Sequence, residues 1–270
     1  MRKILFLVGV IMLFAACSKN KDEKKGEEQQ FVQDVLPKKE VRVIDLGNGV
    51  ETTTIEYTVT SGRLTNLKVT IEKPGNETTE TVATFSYGNP KFPTKPTLIK
   101  KVKGDIGEMT INYDDEGKVA SLIDGVETIT FTYDENKRIV KKYTQKGSEE
   151  SIVNFTYEEN QMTETEGNNK TIYTFDKKGN VHTVTKYGEL YLTIEYDDKY
   201  NYKSAEVLQS VGWDDHFPHD GFTLRVPRNN PISATHKGNV EQYKYEYSED
   251  KPTKCVITGG SYPVTYTYEW

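Results

Sequence analysis

Nine times between Ile55 and Glu269 the chain repeats one short pattern: Ile, Phe or Tyr, then any residue, then Tyr or Phe, most often followed by an acid. The copies are Ile55-Glu56-Tyr57, Phe85-Ser86-Tyr87, Ile111-Asn112-Tyr113-Asp114, Phe131-Thr132-Tyr133-Asp134, Phe155-Thr156-Tyr157-Glu158, Tyr173-Thr174-Phe175-Asp176, Ile194-Glu195-Tyr196-Asp197, Tyr245-Glu246-Tyr247-Ser248 and Tyr266-Thr267-Tyr268-Glu269. In the fullest copy Ile129, Phe131 and Tyr133 fall on one face of a strand and Thr130 and Thr132 on the other, because strand side chains alternate. Asp134 can cap a tight turn, Asn136 is the residue expected to take its left-handed backbone, and Ile139 restarts the apolar face.

From Tyr113 to Tyr196 the spacings are 20, 24, 18 and 21 residues, and from Tyr247 to Tyr268 again 21. Two strands of about eight residues and two short turns use up such a period, so each repeat reads as one hairpin. Asp114-Asp115-Glu116-Gly117 and Asp176-Lys177-Lys178-Gly179 show one kind of turn, and Asp124-Gly125, Lys146-Gly147 and Tyr187-Gly188 the opposite one. Pro90, Pro93 and Pro96 interrupt the chain after Tyr87 and require a long loop or an edge there. Counting hairpins predicts an all-β antiparallel meander of about 14–18 strands. Closure into a large water-facing β-barrel would remove the two edges, with a strongly curled sheet as the alternative. Tyr, Phe, Ile and Val would face inward, and Thr, Lys and Glu outward.

The Tyr113-to-Val119 stretch and its variant from Phe175 to Val181 look like the YD repeats of large bacterial surface proteins. Taken with the two ends of the chain and the Asn229-Asn230-Pro231 segment, residues 41–270 resemble a family of Bacteroidota lipoproteins of unknown function with a porin-like β fold. The resemblance implies an envelope location and brings no catalytic residues.

The amino-terminal residues read as an address. Arg2 and Lys3 precede an apolar run from Ile4 to Phe14, too short to span a bilayer. Phe14-Ala15-Ala16-Cys17 resembles a lipobox, so residues 1–16 are expected to be a lipoprotein signal peptide and Cys17 the lipidated residue. Ser18 to Glu23 resembles the export signal of Bacteroidota surface lipoproteins. The outer face of the outer membrane is therefore the expected location, with a periplasm-facing anchor as the alternative. Residues 17–40 carry few apolar side chains and read as a tether, leaving 41–270 as a single domain. Cleavage would remove two positive charges and move the net charge from −6 to −8. That excess of acid argues against nucleic acid and against an electrostatic hold on anionic lipid. With Cys17 acylated, Cys255 has no disulfide partner and reads as a structural strand thiol.

Between Tyr196 and Tyr247 the interval is 51 residues, and the extra sequence collects unusual side chains. Trp213, Phe217 and Phe222 could line one mouth of the barrel and touch a ligand. Asp214, Asp215, His216, His219 and Asp220 offer nitrogen and oxygen ligands for a divalent ion, although the spacing matches no zinc-hydrolase motif. A loop with its charges solvated asks less of the sequence and is the expectation. No nucleophile elbow, phosphate loop or dinucleotide fingerprint is present. The expected function is non-enzymatic and needs no cofactor: binding of a glycan, peptide or protein partner, ahead of an assembly role in an outer-membrane complex and, further behind, a metal-dependent hydrolase.

Overall fold

A computed structural model describes residues 36–75, 77–104, 107–204 and 227–270. Eighteen strands account for most of them. The first nine are β1 (Lys39–Asp45), β2 (Val50–Thr60), β3 (Arg63–Lys73), β4 (Glu77–Ser86), β5 (Leu98–Lys103), β6 (Gly107–Tyr113), β7 (Val119–Asp124), β8 (Glu127–Tyr133) and β9 (Ile139–Lys146). The rest are β10 (Glu149–Glu158), β11 (Gln161–Glu166), β12 (Asn169–Phe175), β13 (Val181–Lys186), β14 (Glu189–Tyr200), β15 (Asn229–His236), β16 (Asn239–Ser248), β17 (Lys251–Thr258) and β18 (Val264–Glu269). Each strand pairs antiparallel with its neighbour in sequence, and β18 pairs with β1 through Glu40 opposite Tyr268 and Arg42 opposite Tyr266. The meander is therefore a closed barrel at the upper limit of the strand count read from the repeats. Every motif copy lies at the end of an even-numbered strand.

All the turns from even to odd strands lie at one end of the barrel, with the start of β1 and the end of β18; we call this the floor. The turns from odd to even strands form the mouth. Three floor turns are built by aspartate, at Asp114, Asp134 and Asp176. Asp114 Oδ1 accepts the backbone N–H groups of Glu116 at 2.9 Å and Lys118 at 2.8 Å. Asp176 Oδ1 does the same for Lys178 and Asn180, both at 2.8 Å. Gly117 and Gly179 take the left-handed position at φ 81°. In the Asp134 turn that position belongs to Lys137, at φ 65°, and not to Asn136. The aspartate sets the register of the turn, and Lys137 stands three residues after it as Gly117 and Gly179 do.

A β-bulge recurs just past these turns. The register slips at Thr65, Ala120, Val140 and His182, one extra residue each time. The carbonyl immediately before each bulged residue accepts the hydroxyl of the next repeat's motif tyrosine. Tyr87 Oη donates to Leu64 O at 2.7 Å, Tyr133 to Val119 O at 2.8 Å, Tyr157 to Ile139 O at 2.7 Å and Tyr196 to Val181 O at 2.7 Å. A bulge disturbs the ladder, and the hydroxyl supplies the partner a buried carbonyl requires. The repeat ending in Phe175 has no hydroxyl, and the strand it would serve, β11, pairs with β10 without a bulge. At the last repeat the Trp270 indole N–H takes the role, donating to Pro252 O at 2.7 Å beside a register shift.

A barrel of eighteen strands is too wide for its walls alone to fill. Loops complete the floor. Leu36, Pro37 and Pro96 are buried there, together with the short 3-10 turn η1 (Tyr202–Ser204) that follows β14. Residues 36–40, which composition assigned to the tether, are part of the fold: Leu36 and Pro37 pack, and Lys39 and Glu40 already belong to β1. The proline loop stays at the floor, where Pro96 O accepts Tyr113 Oη at 2.8 Å. Outside, Glu56, Lys68, Glu80 and Lys103 form a row of alternating charge across β2 to β5, with contacts of 3.7, 3.3 and 2.8 Å. A wall carrying such a row is built for water and not for lipid.

Tyr157→Phe leaves the Ile139 carbonyl without its donor and is expected to cost about 1–3 kcal/mol in denaturant unfolding. Phe175→Tyr places a hydroxyl where no bulge presents an acceptor and should bring no gain. Equal effects of the two substitutions would contradict the pairing of tyrosine with bulge.

Candidate functional site

The interior changes character along the barrel axis. Toward the floor the inward positions are apolar: Ile55, Phe85, Ile111, Phe131, Phe155 and Ile194 are all buried. Toward the mouth many of them are charged, above all from β8 to β13, while Met109, Ile257 and Val264 keep other strands apolar there. Phe131 stands opposite Lys142 and Phe155 opposite Glu164, so these charged side chains share the inner face with the core. Glu166 pairs with Val153, Glu127 with Lys146, and Lys186 with Thr171, placing four more charges on the inner wall from β8 to β13. Ser151 Oγ donates to Glu166 Oε1 at 2.6 Å and Tyr173 Oη to Glu164 Oε2 at 2.9 Å. Burial pushes the Glu164 carboxyl above the usual range, opposed by the Tyr173 hydrogen bond and by Lys142. Burial likewise lowers the Lys142 ammonium, with Glu164, Glu166 and Glu127 pulling it back up. The opposite wall adds Arg42, 3.3 Å from Thr53 Oγ1 and 3.6 Å from Glu51, and Glu241, which accepts Tyr243 Oη at 3.0 Å.

The floor is held by a buried ion pair. Lys203 of η1 is 1 % exposed and Glu40 of β1 is 0 % exposed, with Nζ 3.2 Å from Oε1. The Tyr202 hydroxyl donates to the other oxygen of Glu40. The Tyr202 ring meets Tyr268 and Trp270 edge-on, at 5.8 and 5.7 Å between centroids. Asn180, Asn229, Asn230 and Asp197 tie the flanks of the long insertion to the same end. Asn180 Nδ2 donates to Asn229 Oδ1 at 3.0 Å, Asn230 N–H to Asp197 Oδ1 at 3.1 Å, and the Tyr247 hydroxyl to Asp197 Oδ2. The insertion thus leaves and re-enters the barrel at the floor, away from the charged mouth.

Cys17, Trp213, Asp214, Asp215, His216, Phe217, His219, Asp220 and Phe222 lie outside the described residues. Among the described ones, no group of three or more His, Cys, Asp or Glu side chains is placed to hold a metal ion. His182 sits at a bulge with Nδ1 3.0 Å from Ile194 O. His236 pairs with Leu192 on the inner face and meets the Tyr191 ring at 4.3 Å. Cys255 is buried on the inner face near Glu40 and Lys203, and burial pushes its thiol up to about 12. That is the setting of a structural cysteine.

Sequence reasoning missed Glu40, Tyr202 and Lys203, which are 162 and 163 residues apart and meet only on closure. Glu164 and Glu166 were legible, alternating with Met162 on its own face. Lys142 was not, because the bulge at Val140 reverses the alternation after Ile139.

Lys203→Met leaves Glu40 as an unpaired charge in the floor and should cost about 3–5 kcal/mol, most of it regained when Glu40→Leu is added. Denaturant melts of the single and double variants measure this, and a harmless single variant would contradict the pair. Glu164 supplies a pH dependence of definite sign. A carboxyl raised in the folded state binds more protons there than in the unfolded chain, so stability falls as pH rises from the ordinary glutamate range through the raised folded value. The stability of Glu164→Gln relative to the parent should therefore increase with pH across that window; a difference that is flat or falls with pH would contradict the burial of Glu164.

This geometry has a counterpart among solved structures. A porin-like protein from Bacteroides uniformis is 13 % identical, with a TM-score of 0.50 over 86 % of this chain and 96 % of that one. The likeness shows a porin-like β-barrel fold. A TcdB2–TccC3–Cdc42 structure is 11 % identical over 79 % of this chain and 14 % of that one, and its TM-score of 0.24 supports no argument. No family model and no curated protein matches the sequence.

Proposed function

We propose that the chain is a lipid-anchored envelope protein, held through Cys17, that binds a ligand or partner at the charged mouth of its barrel and catalyses no reaction. The observation that carries this is the axial division of the interior. The floor is packed with apolar side chains and loops, while the mouth half keeps charges on its inner wall: Lys142 buried, Glu164, Lys186 and Arg42 half-buried, and Glu166 exposed. Inward charges far from solvent cost stability, and a barrel needing only a core would have continued its Ile, Leu and Phe layers to the mouth. The lipobox-like sequence supports the anchor, and its Ser18 to Glu23 continuation supports display outside the cell. The porin-like likeness fits an envelope protein. The row of charge on the outer wall supports a barrel standing in water beside the membrane.

The aromatic loop at Trp213 becomes secondary in this reading, because the insertion's flanks belong to the floor. An assembly role without a ligand is the second reading.

The test is a melting-temperature screen of the chain from Ser18 onward against soluble oligosaccharides and short charged peptides, run beside a Lys142→Met/Glu164→Gln double variant. At ligand concentrations about a hundredfold above Kd a binder raises stability by about 2.7 kcal/mol, a shift of several degrees. The expected result is a compound that shifts the parent and not the double variant. A compound that shifts both equally, or a panel that shifts neither, would contradict the mouth as the ligand site.

A further inference from the structure

The exposed apolar side chains are unevenly placed. Among the described residues, all the large ones except Ile152, Ile232 and Tyr200 sit in a mouth turn or within two residues of one. The most prominent are Tyr187 at 76 %, Val126 at 75 % and Leu190 at 61 % exposed. Val50, Val240 and Tyr262 continue the series at the turns before β2, β16 and β18. The series thus runs round the barrel and is not gathered on one side. At about 4.8 Å between strands, eighteen strands make a rim roughly 85–90 Å around. Leu190 stands opposite Thr185, out of phase with the inward pair Val184 and Leu192, so it points away from the lumen. Inside this ring, next to the mouth turns, lie charges of both signs at Glu127, Lys146, Glu166 and Lys186.

Such an end is the inverse of a protein–protein interface, which has an apolar centre and a polar rim. Apolar tips scattered round a wet, charged centre offer another protein little continuous area to cover. They suit a surface that is flat on this scale and apolar just beneath its polar layer. Tyrosine and aliphatic side chains partition into the interfacial zone of a bilayer, and the mixed charges of the mouth then meet the headgroups. Carboxylates accept from an ammonium and lysines pair with a phosphate, so the complementary headgroup is zwitterionic. An anionic surface is disfavoured by the net charge of −6.

We propose that the mouth of the barrel docks on a zwitterionic phospholipid surface, with Val126, Tyr187 and Leu190 among the tips that enter it. The inference rests on the reading that the mouth is the functional end, and it names the lipid headgroup layer as what that end meets. It is independent of the lipid on Cys17.

The test is flotation of the chain from Ser18 onward, which lacks the acylated cysteine and keeps every strand, with vesicles of phosphatidylethanolamine and phosphatidylcholine. The parent should co-float. A Val126→Ser/Tyr187→Ser/Leu190→Ser variant, changed only at exposed positions and checked for an unaltered melting temperature, should lose at least tenfold in vesicle affinity. Adding phosphatidylglycerol should weaken the parent's binding. A parent that does not float, a triple variant that floats equally, or binding that grows with anionic lipid would overturn the proposal. So would self-association of the parent that the triple variant abolishes, because the tips would then cover a second copy. If flotation fails while a soluble compound still binds in a manner sensitive to Lys142 and Glu164, docking on lipid falls and the mouth as ligand site stands. If both fail, the reading of the mouth falls as well.

Discussion

The hydrogen bond from a repeat's tyrosine to the carbonyl before the neighbouring bulge is the interaction on which the barrel depends. Hairpins joined in series satisfy their own ladders without it, but a wide barrel needs its strands to bend and twist at one end. Bulges provide that at a cost, since each disturbs the ladder in a buried layer. The motif tyrosine repairs the damage from the next hairpin along, so every repair is also a stitch between repeats. Cations reinforce several stitches: the Arg138 guanidinium lies 4.4 Å from the centre of the Tyr157 ring and the Lys118 ammonium 4.7 Å from that of Tyr133. Phe175 beside an unbulged β11 shows the two features leaving together within one chain.

Concentrating the stitches at the floor divides the interior. The motif tyrosines and the bulges they serve, the proline loop, the start of β1, the end of β18 and η1 crowd one end, where their rings and loops fill a space that eighteen strands alone would leave empty. Among the described residues the mouth turns are short, and the inner wall from β8 to β13 is charged there. The buried pair of Glu40 and Lys203 belongs to this division: it fastens the start of the insertion into the floor and ties β1 to a segment far along the chain. The shape is porin-like, yet the chemistry differs from that of a wall in lipid, with charge outside as well as inside.

The architecture was legible in the sequence to an unusual degree, because the repeat carries it. The period of about 20 residues, the aspartate turns and the alternation around Phe131 follow from local rules that tertiary contacts did not override. Three things were not legible. Lys137 took the turn position expected of Asn136, because the aspartate and not the asparagine sets the register. Lys142 reached the lumen through a bulge that reversed the period-two count. Glu40, Tyr202 and Lys203 meet through ring closure, which no local pattern encodes, and Glu40 had been read as the end of the tether. The insertion drew attention by its composition, whereas the mouth was hidden in plain alternations such as Met162, Glu164 and Glu166.

The division of the interior is tested most directly by thiol labelling of two inward positions in the chain from Ser18 onward. Cys255 is the floor position and is present naturally; Thr171→Cys supplies the mouth position, opposite Glu164. A charged maleimide should modify the introduced thiol at a rate near that of an exposed cysteine and leave Cys255 untouched until the protein unfolds. Protection of both would mean an interior filled to the mouth, and labelling of both would mean a passage open to the floor. Either would contradict a barrel that is packed at one end and wet at the other.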